Sequence, residues 1–339
     1  ISRDNVESNP ATPWSGGVLH GNALGSTIPR MLTFLVIIVG LVVFEIVNSI
    51  DNAIVNAHVL KTMSAKARRW FLIWGILTAV VLVRGTLPLL IVWLTTPSIS
   101  LWQAVLATFG NDPIARQAID ANAFILLLGG GMFLMLLYFH WLFLEKKEPF
   151  FLPDKLIRPH YGVWFFAIAA LLLVATLFFA RANPFAMLAA AIGNALFFIL
   201  YGFRETAERE ERKLEKQGMS DLSKLMYLEV LDLSFSIDGV VGAFAFTTNV
   251  LLILIGNGIG ALVVREFTIR GIERVGKYKW LKNGAMTSIG FLGFFMVLKA
   301  FGLHVPEWLP TLITFFFVGI AFYASHVFLK KNSAPAQAS

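Results

Sequence analysis

Apolar runs of roughly 20 residues recur along this chain, and a run of that length can cross a hydrocarbon core of about 30 Å as an α-helix. Nine such segments can be drawn, at residues 31–59, 70–95, 122–144, 162–180, 184–201, 226–247, 250–264, 285–303 and 310–329. Only Thr247–Asn249 separate the sixth segment from the short seventh, so this pair is either a hairpin or one helix with an irregular middle. The pattern predicts an all-α, polytopic membrane helix bundle of about nine transmembrane helices.

The composition supports a membrane protein. Of the 339 residues, 57% are hydrophobic and 14% are charged, whereas a soluble globular chain carries roughly 25% charged residues. The net charge of +7 does not indicate a nucleic-acid partner, because the basic residues cluster in short loops between the apolar runs. The chain has no cysteine, which excludes disulfides, thiolate metal sites and thiol catalysis.

The basic residues also orient the helices, because lysine and arginine concentrate in the cytoplasmic loops of membrane proteins. Alternate loops and the C-terminus hold nearly all of them: Lys61, Lys66, Arg68 and Arg69; Lys146, Lys147, Lys155 and Arg158; Arg204, Arg209, Arg212, Lys213, Lys216 and Lys224; Arg265, Arg270, Arg274, Lys277, Lys279 and Lys282; Lys330 and Lys331. The other loops hold only Arg116 and Arg181. The N-terminus is therefore predicted to lie outside and the C-terminus inside.

The segments divide the chain into domains. Residues 1–30 are polar, without the order of a signal peptide, and are interpreted as a flexible tail. The transmembrane domain, residues 31–330, comprises repeat one (31–144), connecting helices (162–201), a charged cytoplasmic loop (202–225), repeat two (226–303) and a final helix (310–329); a cytoplasmic tail (331–339) follows. In the charged loop, acid–base pairs at i,i+4 spacing predict a solvated helix, and a regulatory or partner surface is the alternative.

An acidic motif occurs twice, as Glu45-Ile-Val-Asn-Ser-Ile-Asp51 and as Asp232-Leu-Ser-Phe-Ser-Ile-Asp238. Both copies share an acid, three residues, Ser, Ile and Asp, and both lie in segments apolar enough to span a membrane. A carboxylate in a bilayer is costly, so such residues usually line a pathway or face a partner. The predicted orientation sends the two copies in opposite directions, which indicates an inverted repeat with a cation carrier site at the repeat interface.

Each motif continues into a polar stripe, because an α-helix turns about 100° per residue. In the first helix, the oxygen-bearing side chains within about 60° of Glu45 are Asn48, Ser49, Asn52 and Asn56. In the second helix, the matching positions are Asp232, Ser236, Gly239 and Ala243, with Glu229 one turn before. The small residues of the second stripe would let a facing helix or an ion approach the backbone.

Asp51 and Asp238 lie about 120° off their stripes in a regular helix. Either they face a different neighbour, or the helices are locally unwound there and turn the carboxylates onto the shared site, as broken helices do in many carriers. Gly239 would permit such a break. The alternative without an ion is that each acid only hydrogen-bonds a neighbouring helix and holds the bundle together.

Two basic side chains inside the apolar segments need an explanation. Arg84 lies deep in the second segment and requires a buried partner, for which a motif carboxylate is the natural choice. His140 lies near the inner end of the third segment. It is interpreted either as a proton acceptor or ligand, or as a hydrogen-bond donor between helices.

The ligand types narrow the cargo. Carboxylate, amide, hydroxyl and carbonyl oxygens suit hard divalent cations such as Mg²⁺, Ca²⁺ or Mn²⁺, whereas soft metals prefer thiolates and histidines. No phosphate loop of Walker type and no nucleophile–base pair is found in the sequence, so neither an ATPase nor another enzyme is predicted. The predicted partners are the lipid bilayer and a divalent ion, with no prosthetic group, and homo-oligomer formation is left open.

These motifs resemble the TerC family of bacterial membrane proteins, most of all its branch described only as a domain of unknown function. The likeness runs from about Leu32 to Phe328 and rests on EIVNSIDNAIVNA, WGILTAVVLVRGTLPLLIVW, YLEVLDLSFSIDGVVGAFAFTTN and IGNGIGALVVREFTIRG. Family members are associated with tellurite resistance and metal homeostasis, and several are regarded as Mn²⁺ exporters. The resemblance implies a multi-pass protein of the bacterial inner membrane, and it assigns family positions to Glu45, Asp51, Asn52, Asp232 and Asp238, to Arg84, and to Asn249 and Asn257.

The favoured hypothesis is a secondary transporter that exports a divalent metal, with Mn²⁺ the first candidate and protons returning through the same carboxylates. Its first alternative is a non-transporting membrane component of a metal or tellurite resistance complex. Another is export of a small organic cation or amino acid, which the acid-only stripes favour less. If the carrier hypothesis holds, Glu45, Asp51, Asp232 and Asp238 are expected around one volume, with Arg84 nearby.

Overall fold

The computed structural model describes residues 30–75, 84–110, 112–157, 162–214, 220–270 and 276–333, which contain helices and no strand. The helices are α1 (Arg30–Asn48), α2 (Ile50–Lys61), α3 (Ala65–Trp70), α4 (Arg84–Thr95), α5 (Leu101–Phe109), α6 (Pro113–Leu144), α7 (Leu152–Leu156), α8 (Trp164–Phe179), α9 (Pro184–Leu214), α10 (Asp221–Ala243), α11 (Val250–Arg270), α12 (Leu281–Ala300) and α13 (Leu309–Ser333). A π-helical turn, Phe71–Gly75, directly continues α3. The predicted tails, 1–29 and 334–339, lie outside the described residues.

The prediction of a polytopic membrane helix bundle is confirmed. Among the described residues, six helices are long and apolar enough to cross a membrane: α1, α6, α9, α11, α12 and α13. The apolar helices α4 and α8 are shorter, and α10 is a helix of 23 residues that carries the second motif. Each of the nine predicted segments therefore contains a helix in the part of the chain that the structure describes.

Three local features differ from the simplest reading of the pattern. The first segment is divided at Ser49, but its N–H still bonds the Glu45 carbonyl (3.0 Å) and its carbonyl still accepts from Ala53 (2.9 Å), so the interruption is slight. The sixth and seventh segments form a hairpin of two separate helices, and α11 is longer than its segment. The short helix α5 was not predicted, although Ser100 and Gln103 form a capping box at its start.

Glycines allow the central helices to pack closely. A Cβ atom built on Gly193 of α9 would lie 2.1 Å from the carbonyl oxygen of Gly129 on α6. A Cβ atom on Gly131 of α6 would lie 2.9 Å from the carbonyl oxygen of Gly293 on α12. Small residues are the usual means by which membrane helices approach one another, so α6 packs between α9 and α12 at backbone contact.

The same device positions the first motif. On α11, a Cβ atom at Gly256 would lie 2.5 Å from Leu41 Cβ, and one at Gly260 would lie 2.6 Å from Glu45 Cβ. Because any larger side chain at these positions would push α1 away, the two glycines set α1 directly against α11. Glu45 is thereby buried.

Candidate functional site at the paired motif helices

The two motif helices run antiparallel and face one another. Asn52 on α2 donates a hydrogen bond to Asp232 on α10. Gly239 on α10 lies opposite Glu45 on α1, because a Cβ atom there would be 2.9 Å from Glu45 Oε2. Glu45 and Asn52 are seven residues apart, and so are the residues that face them, Gly239 and Asp232, but in the reverse order along the chain. This is the register of two antiparallel helices. The prediction that segments one and six meet is confirmed.

The pairing extends to the predicted cytoplasmic end of both helices. The Ser64 hydroxyl and backbone N–H both donate to the Asp221 carboxylate, and Lys224 Nζ donates to the Thr62 carbonyl at 2.9 Å. The hydrogen bonds from the Ser64 side chain and backbone lower the pKa of the exposed Asp221 carboxyl. These contacts hold the two antiparallel segments together beyond Glu229, the last acidic residue of the second stripe.

Glu45 and Arg84 form a buried ion pair at the deep end of the facing helices. Arg84 Nη2 lies 2.7 Å from Glu45 Oε1, and these side chains are 9% and 1% exposed. Ser49 donates to the same oxygen at 2.7 Å and accepts from Arg84 at 3.3 Å. The prediction that Arg84 pairs with a carboxylate of the motif is therefore confirmed, and that carboxylate is Glu45. Glu45 Oε2 has no hydrogen-bond partner among the described residues, and it is the oxygen that faces Gly239.

About two turns toward the predicted cytoplasmic end, the side chains of Asn52 and Asp232 leave a second pair of oxygen atoms without a hydrogen bond among the described residues. The Asn52 amide nitrogen bonds Asp232 Oδ1, while Asn52 Oδ1 and Asp232 Oδ2 are buried without a partner in the described part of the chain. Both residues are buried, with 3% and 9% of their surface exposed. A buried polar atom without a hydrogen bond costs free energy, so these oxygens mark a place suited to water or a cation.

Asn56 and Glu229 continue the two stripes toward their predicted cytoplasmic ends. Glu229 Oε1 is buried, lacks a partner among the described residues, and lies where a Cβ atom on Gly75 would be 2.5 Å away. Gly75 belongs to the π-helical turn, a feature often found at functional sites. The side-chain oxygen of Asn56 is likewise buried and unpartnered within the described residues.

Within the described residues, six oxygen atoms without a hydrogen-bond partner therefore lie on the two predicted stripes, three on each stripe. They are Glu45 Oε2, Asn52 Oδ1 and Asn56 Oδ1 on α1 and α2, and Glu229 Oε1, Asp232 Oδ2 and Ser236 Oγ on α10. On α11, both side-chain atoms of the fully buried Asn257 also lack a partner within the described residues. Carboxylate, amide and hydroxyl oxygens are the donors that a hard divalent ion takes.

The donor set is mixed rather than a cluster of acids. No group of three or more His, Cys, Asp or Glu side chains arranged to hold a metal ion occurs among the described residues. A cation on these helices would therefore be held by one or two carboxylates together with amide and hydroxyl oxygens. Such a set suits reversible binding of a transported ion, because a site with few charged ligands binds a hard cation less tightly than a site with many.

Asp238 departs from the expected shared volume of four carboxylates. Its Oδ2 lies 2.7 Å from Arg204 Nη2 of α9, and Arg204 also donates to the Ser234 carbonyl at 2.7 Å. Helix α10 is continuous through Asp238 and Gly239, so local unwinding does not occur there. Of the two options that the sequence left open, Asp238 takes the different neighbour, because its position about 120° off the stripe turns it toward α9.

Arg204 is the residue that sequence reasoning missed. The sequence pattern places Arg204 in the charged cytoplasmic loop, whereas in the structure it lies on α9 with its side chain 17% exposed. The guanidinium also lies 4.6 Å from the centre of the Phe235 ring. One feature of the sequence could have indicated this contact. Arg204 is the first basic residue after the apolar run that ends at residue 203, and a side chain at such a position can turn back toward the helix bundle.

Three further predicted residues lie elsewhere or are not described. His140 on α6 packs against the Tyr201, Phe165 and Phe197 rings, with centroid distances of 4.6, 5.5 and 5.9 Å, so the structure does not bring it to the stripes. Asn249 caps α11 by accepting from the N–H groups of residues 251 and 252. The backbone of Asp51 belongs to α2, but its side chain lies outside the described part of the structure.

Asn48 is placed at the facing surface. Its Nδ2 would lie 3.3 Å from a Cβ atom on Gly239, next to the free oxygen of Glu45. Three residues of the first predicted stripe, Glu45, Asn48 and Asn52, thus contact α10. The stripe, which also includes Ser49 and Asn56, therefore lies on the side of α1 and α2 that faces α10. Whether any of these residues binds an ion stays a prediction.

Comparison with known proteins gives a family and several relatives. The family described as "Protein of unknown function (DUF475)" matches residues 50–332. The chain is 32% identical over 97 residues to the uncharacterized membrane protein YceF of Bacillus subtilis, covering 29% of this chain and 36% of YceF. It is 28% identical over 117 residues to the UPF0053 inner membrane protein YgdQ of Escherichia coli, covering 34% of this chain and 49% of YgdQ.

The aligned regions thus span at most about half the length of these relatives. No solved structure matches the chain.

Proposed function

This chain belongs to the DUF475 family, and we propose that it is a secondary transporter that exports a hard divalent cation, with Mn²⁺ as the favoured cargo. One observation carries the proposal: six buried oxygen atoms that have no hydrogen-bond partner among the described residues lie on two antiparallel segments that bear the same motif. The chain is a multi-pass inner membrane protein, in keeping with its membrane-spanning helices and the names of its relatives. A buried row of oxygen ligands in such a protein suits passage of a cation.

The formal charge of the described side chains on the two stripes, a sum that leaves out Asp51, matches a divalent ion. Glu45, Glu229 and Asp232 contribute three negative charges when ionised, and Arg84 contributes one positive charge. The net charge of −2 is the charge that one divalent cation neutralises. Arg204 already neutralises Asp238, so that pair adds nothing to the sum. The residual charge favours a cation with charge 2+ over a monovalent ion at this place.

Arg84 acts in this proposal as an internal counter-ion. While no metal is bound, it holds one oxygen of Glu45 and prevents an uncompensated buried charge, which would be strongly destabilising. The second oxygen of Glu45 stays available toward Gly239. An arriving ion engages that free oxygen without first breaking the ion pair, and it enters from the side of Glu229, Asn56, Asp232 and Asn52.

Protons are proposed as the exchanged ion. A carboxylate that releases its metal in a buried position is most stable when it takes up a proton instead. Glu229 and Asp232 lack an arginine partner in the described part of the structure, so they are the groups proposed to carry protons. Glu45 keeps its ion pair with Arg84 throughout the proposed cycle.

The choice of Mn²⁺ rests on the resemblance to the TerC family and not on the donor set alone. Oxygen ligands without thiolates suit Mg²⁺, Ca²⁺ and Mn²⁺ alike. The relatives YceF and YgdQ are named only as membrane proteins, so their names do not identify a cargo. The proposed cargo is therefore the part of the function that needs the first direct test.

Cells with and without the protein provide that test. We expect cells that express it to hold less manganese and to tolerate more external Mn²⁺ than cells that lack it, with calcium and magnesium content measured in parallel. Equal metal content and equal tolerance at matched expression would instead favour the alternative of a non-transporting component of a metal or tellurite resistance complex.

A further inference from the structure

The segment after α2 presents two different faces. On one side, Ala67 and Phe71 are buried in a cluster with Leu228 of α10. On the other side, Trp70, Ile73 and Trp74 are 48%, 41% and 55% exposed. Lys66 and Arg69 join them around an open cavity of about 510 Å³. We call this surface, formed by Lys66, Arg69, Trp70, Ile73 and Trp74, the α3 face.

The two cations of the α3 face are available to a ligand. Among the described residues, neither Lys66 nor Arg69 has an ion pair or a hydrogen bond. Arg68, which lies between them in sequence, is used differently, because it donates to the carbonyls of Leu60 and Met63 at 2.9 and 3.3 Å. The chain thus satisfies one arginine internally and leaves its neighbours turned outward, beside two exposed indole rings.

The α3 face also lies where a lipid headgroup is expected. It follows α1 and α2 at the end that the loop charges assign to the cytoplasm, and tryptophan prefers the boundary between headgroups and acyl chains. Anionic lipids give the cytoplasmic leaflet its negative surface potential, which attracts clustered lysine and arginine. An arginine can also bind a phosphate through two parallel hydrogen bonds.

We propose that the α3 face binds one anionic phospholipid of the inner leaflet. The headgroup phosphate lies between Lys66 and Arg69, and an acyl chain covers Trp70, Ile73 and Trp74. An anionic phospholipid matches both the charge and the apolar surface of the α3 face. A zwitterionic lipid has the same acyl chains but no net negative charge, and a free phosphate has the charge but no apolar part to cover the indole rings.

The bound lipid would contact the outer side of the π-helical turn Phe71–Gly75, whose inner side faces the candidate ion pathway. The turn that carries Trp74 outward carries Gly75 inward, where it touches Glu229. A lipid that holds this turn in place therefore also holds the position of Glu229. This consequence rests on the proposed function, whereas the binding of the lipid does not, and the experiment below measures binding without transport.

The experiment uses the full-length protein purified in a neutral detergent. Native mass spectrometry and thermal denaturation are recorded with added phosphatidylglycerol or phosphatidylcholine, and with glycerol 3-phosphate as the free headgroup. We expect one phosphatidylglycerol to be retained with an affinity at least tenfold above that of phosphatidylcholine, a rise in the melting temperature with phosphatidylglycerol alone, and no effect of glycerol 3-phosphate.

The variant Lys66→Gln/Arg69→Gln is expected to lose this preference at least tenfold while keeping the wild-type melting temperature in phosphatidylcholine. The matched control, Lys330→Gln/Lys331→Gln, removes the same charge from the exposed end of α13 and should retain the preference. Equal binding of both lipids by the wild type overturns the proposal, as does an unchanged preference in Lys66→Gln/Arg69→Gln. Saturable binding of glycerol 3-phosphate with lipid-like affinity also overturns it.

Discussion

Replacement of Gly239 by alanine tests the facing arrangement of the motif helices. The added methyl group would lie 2.9 Å from Glu45 Oε2 and 3.3 Å from Asn48 Nδ2, and the first distance is too short for an ordinary contact. The Glu45 carboxylate cannot easily yield, because its other oxygen is held by Arg84 and Ser49 at 2.7 Å each. The methyl group therefore occupies the space in front of the one free oxygen of Glu45.

The expected loss of stability is small. Overpacking a tight contact costs about 1–3 kcal/mol, and the better helix propensity of alanine offsets about 1 kcal/mol of that, which leaves a net cost of about 0–2 kcal/mol. The expected loss of metal affinity is larger, because disturbing a ligand's position typically costs roughly 10–100-fold, or about 1.4–2.8 kcal/mol. Gly239→Ala should therefore fold and insert, yet bind Mn²⁺ poorly.

The assay is Mn²⁺ titration calorimetry on the purified protein, with thermal denaturation recorded on the same samples. Gly319→Ala is the matched control, because a Cβ atom there meets no atom within 4 Å. It should bind Mn²⁺ as the wild type does. If Gly239→Ala binds Mn²⁺ with wild-type affinity, Glu45 Oε2 is not a ligand and the proposed arrangement of the site is refuted.

Three further predictions concern the buried charges and the orientation. Arg84→Gln should destabilise the protein by about 3–5 kcal/mol, because it leaves Glu45 buried and unpaired, and adding Glu45→Gln should recover part of the loss in thermal denaturation; additive effects would deny the pairing. Asp238→Asn and Arg204→Gln should each destabilise the protein in thermal denaturation, because each removes one member of the ion pair between α9 and α10, and the two changes should show strong coupling in a double-mutant cycle; independent effects would argue against the pair. A cysteine at position 213 should react only from the cytoplasm, against a background without native cysteines, and labelling of intact cells from outside would reverse the orientation.

The helices and the meeting of the motifs were predictable because they depend on local pattern. Apolar length fixes where a helix can span, and a repeated motif on oppositely directed helices indicates a shared interface. The partner of Arg84 followed from the same reasoning, since a buried arginine needs an acid and Glu45 lies on the predicted stripe. These inferences needed only the spacing and the chemistry of residues within single helices.

The remaining features depend on packing between helices, which the spacing along one helix does not contain. Arg204 reaches Asp238 because α9 and α10 lie side by side, and nothing in the order of residues selects that neighbour over α1. The glycines at positions 256 and 260 determine how closely α11 approaches Glu45. The resemblance to the TerC family assigns a family position to Asn249, yet this residue lies at a helix start, where its side chain accepts hydrogen bonds from two backbone N–H groups.

The most direct test of the central claim is Mn²⁺ flux into liposomes that contain the purified protein and a trapped divalent-ion sensor. Asp232→Asn keeps the shape of the side chain and removes the charge beside Asn52, whereas Asp221→Asn makes the same change at an exposed acid on the same helix. We expect Mn²⁺ flux in the wild type and in Asp221→Asn. In Asp232→Asn we expect the loss of at least nine-tenths of that flux, on the order of a tenfold effect. Equal flux in all three proteins, or no flux in the wild type above protein-free liposomes, would contradict the central claim.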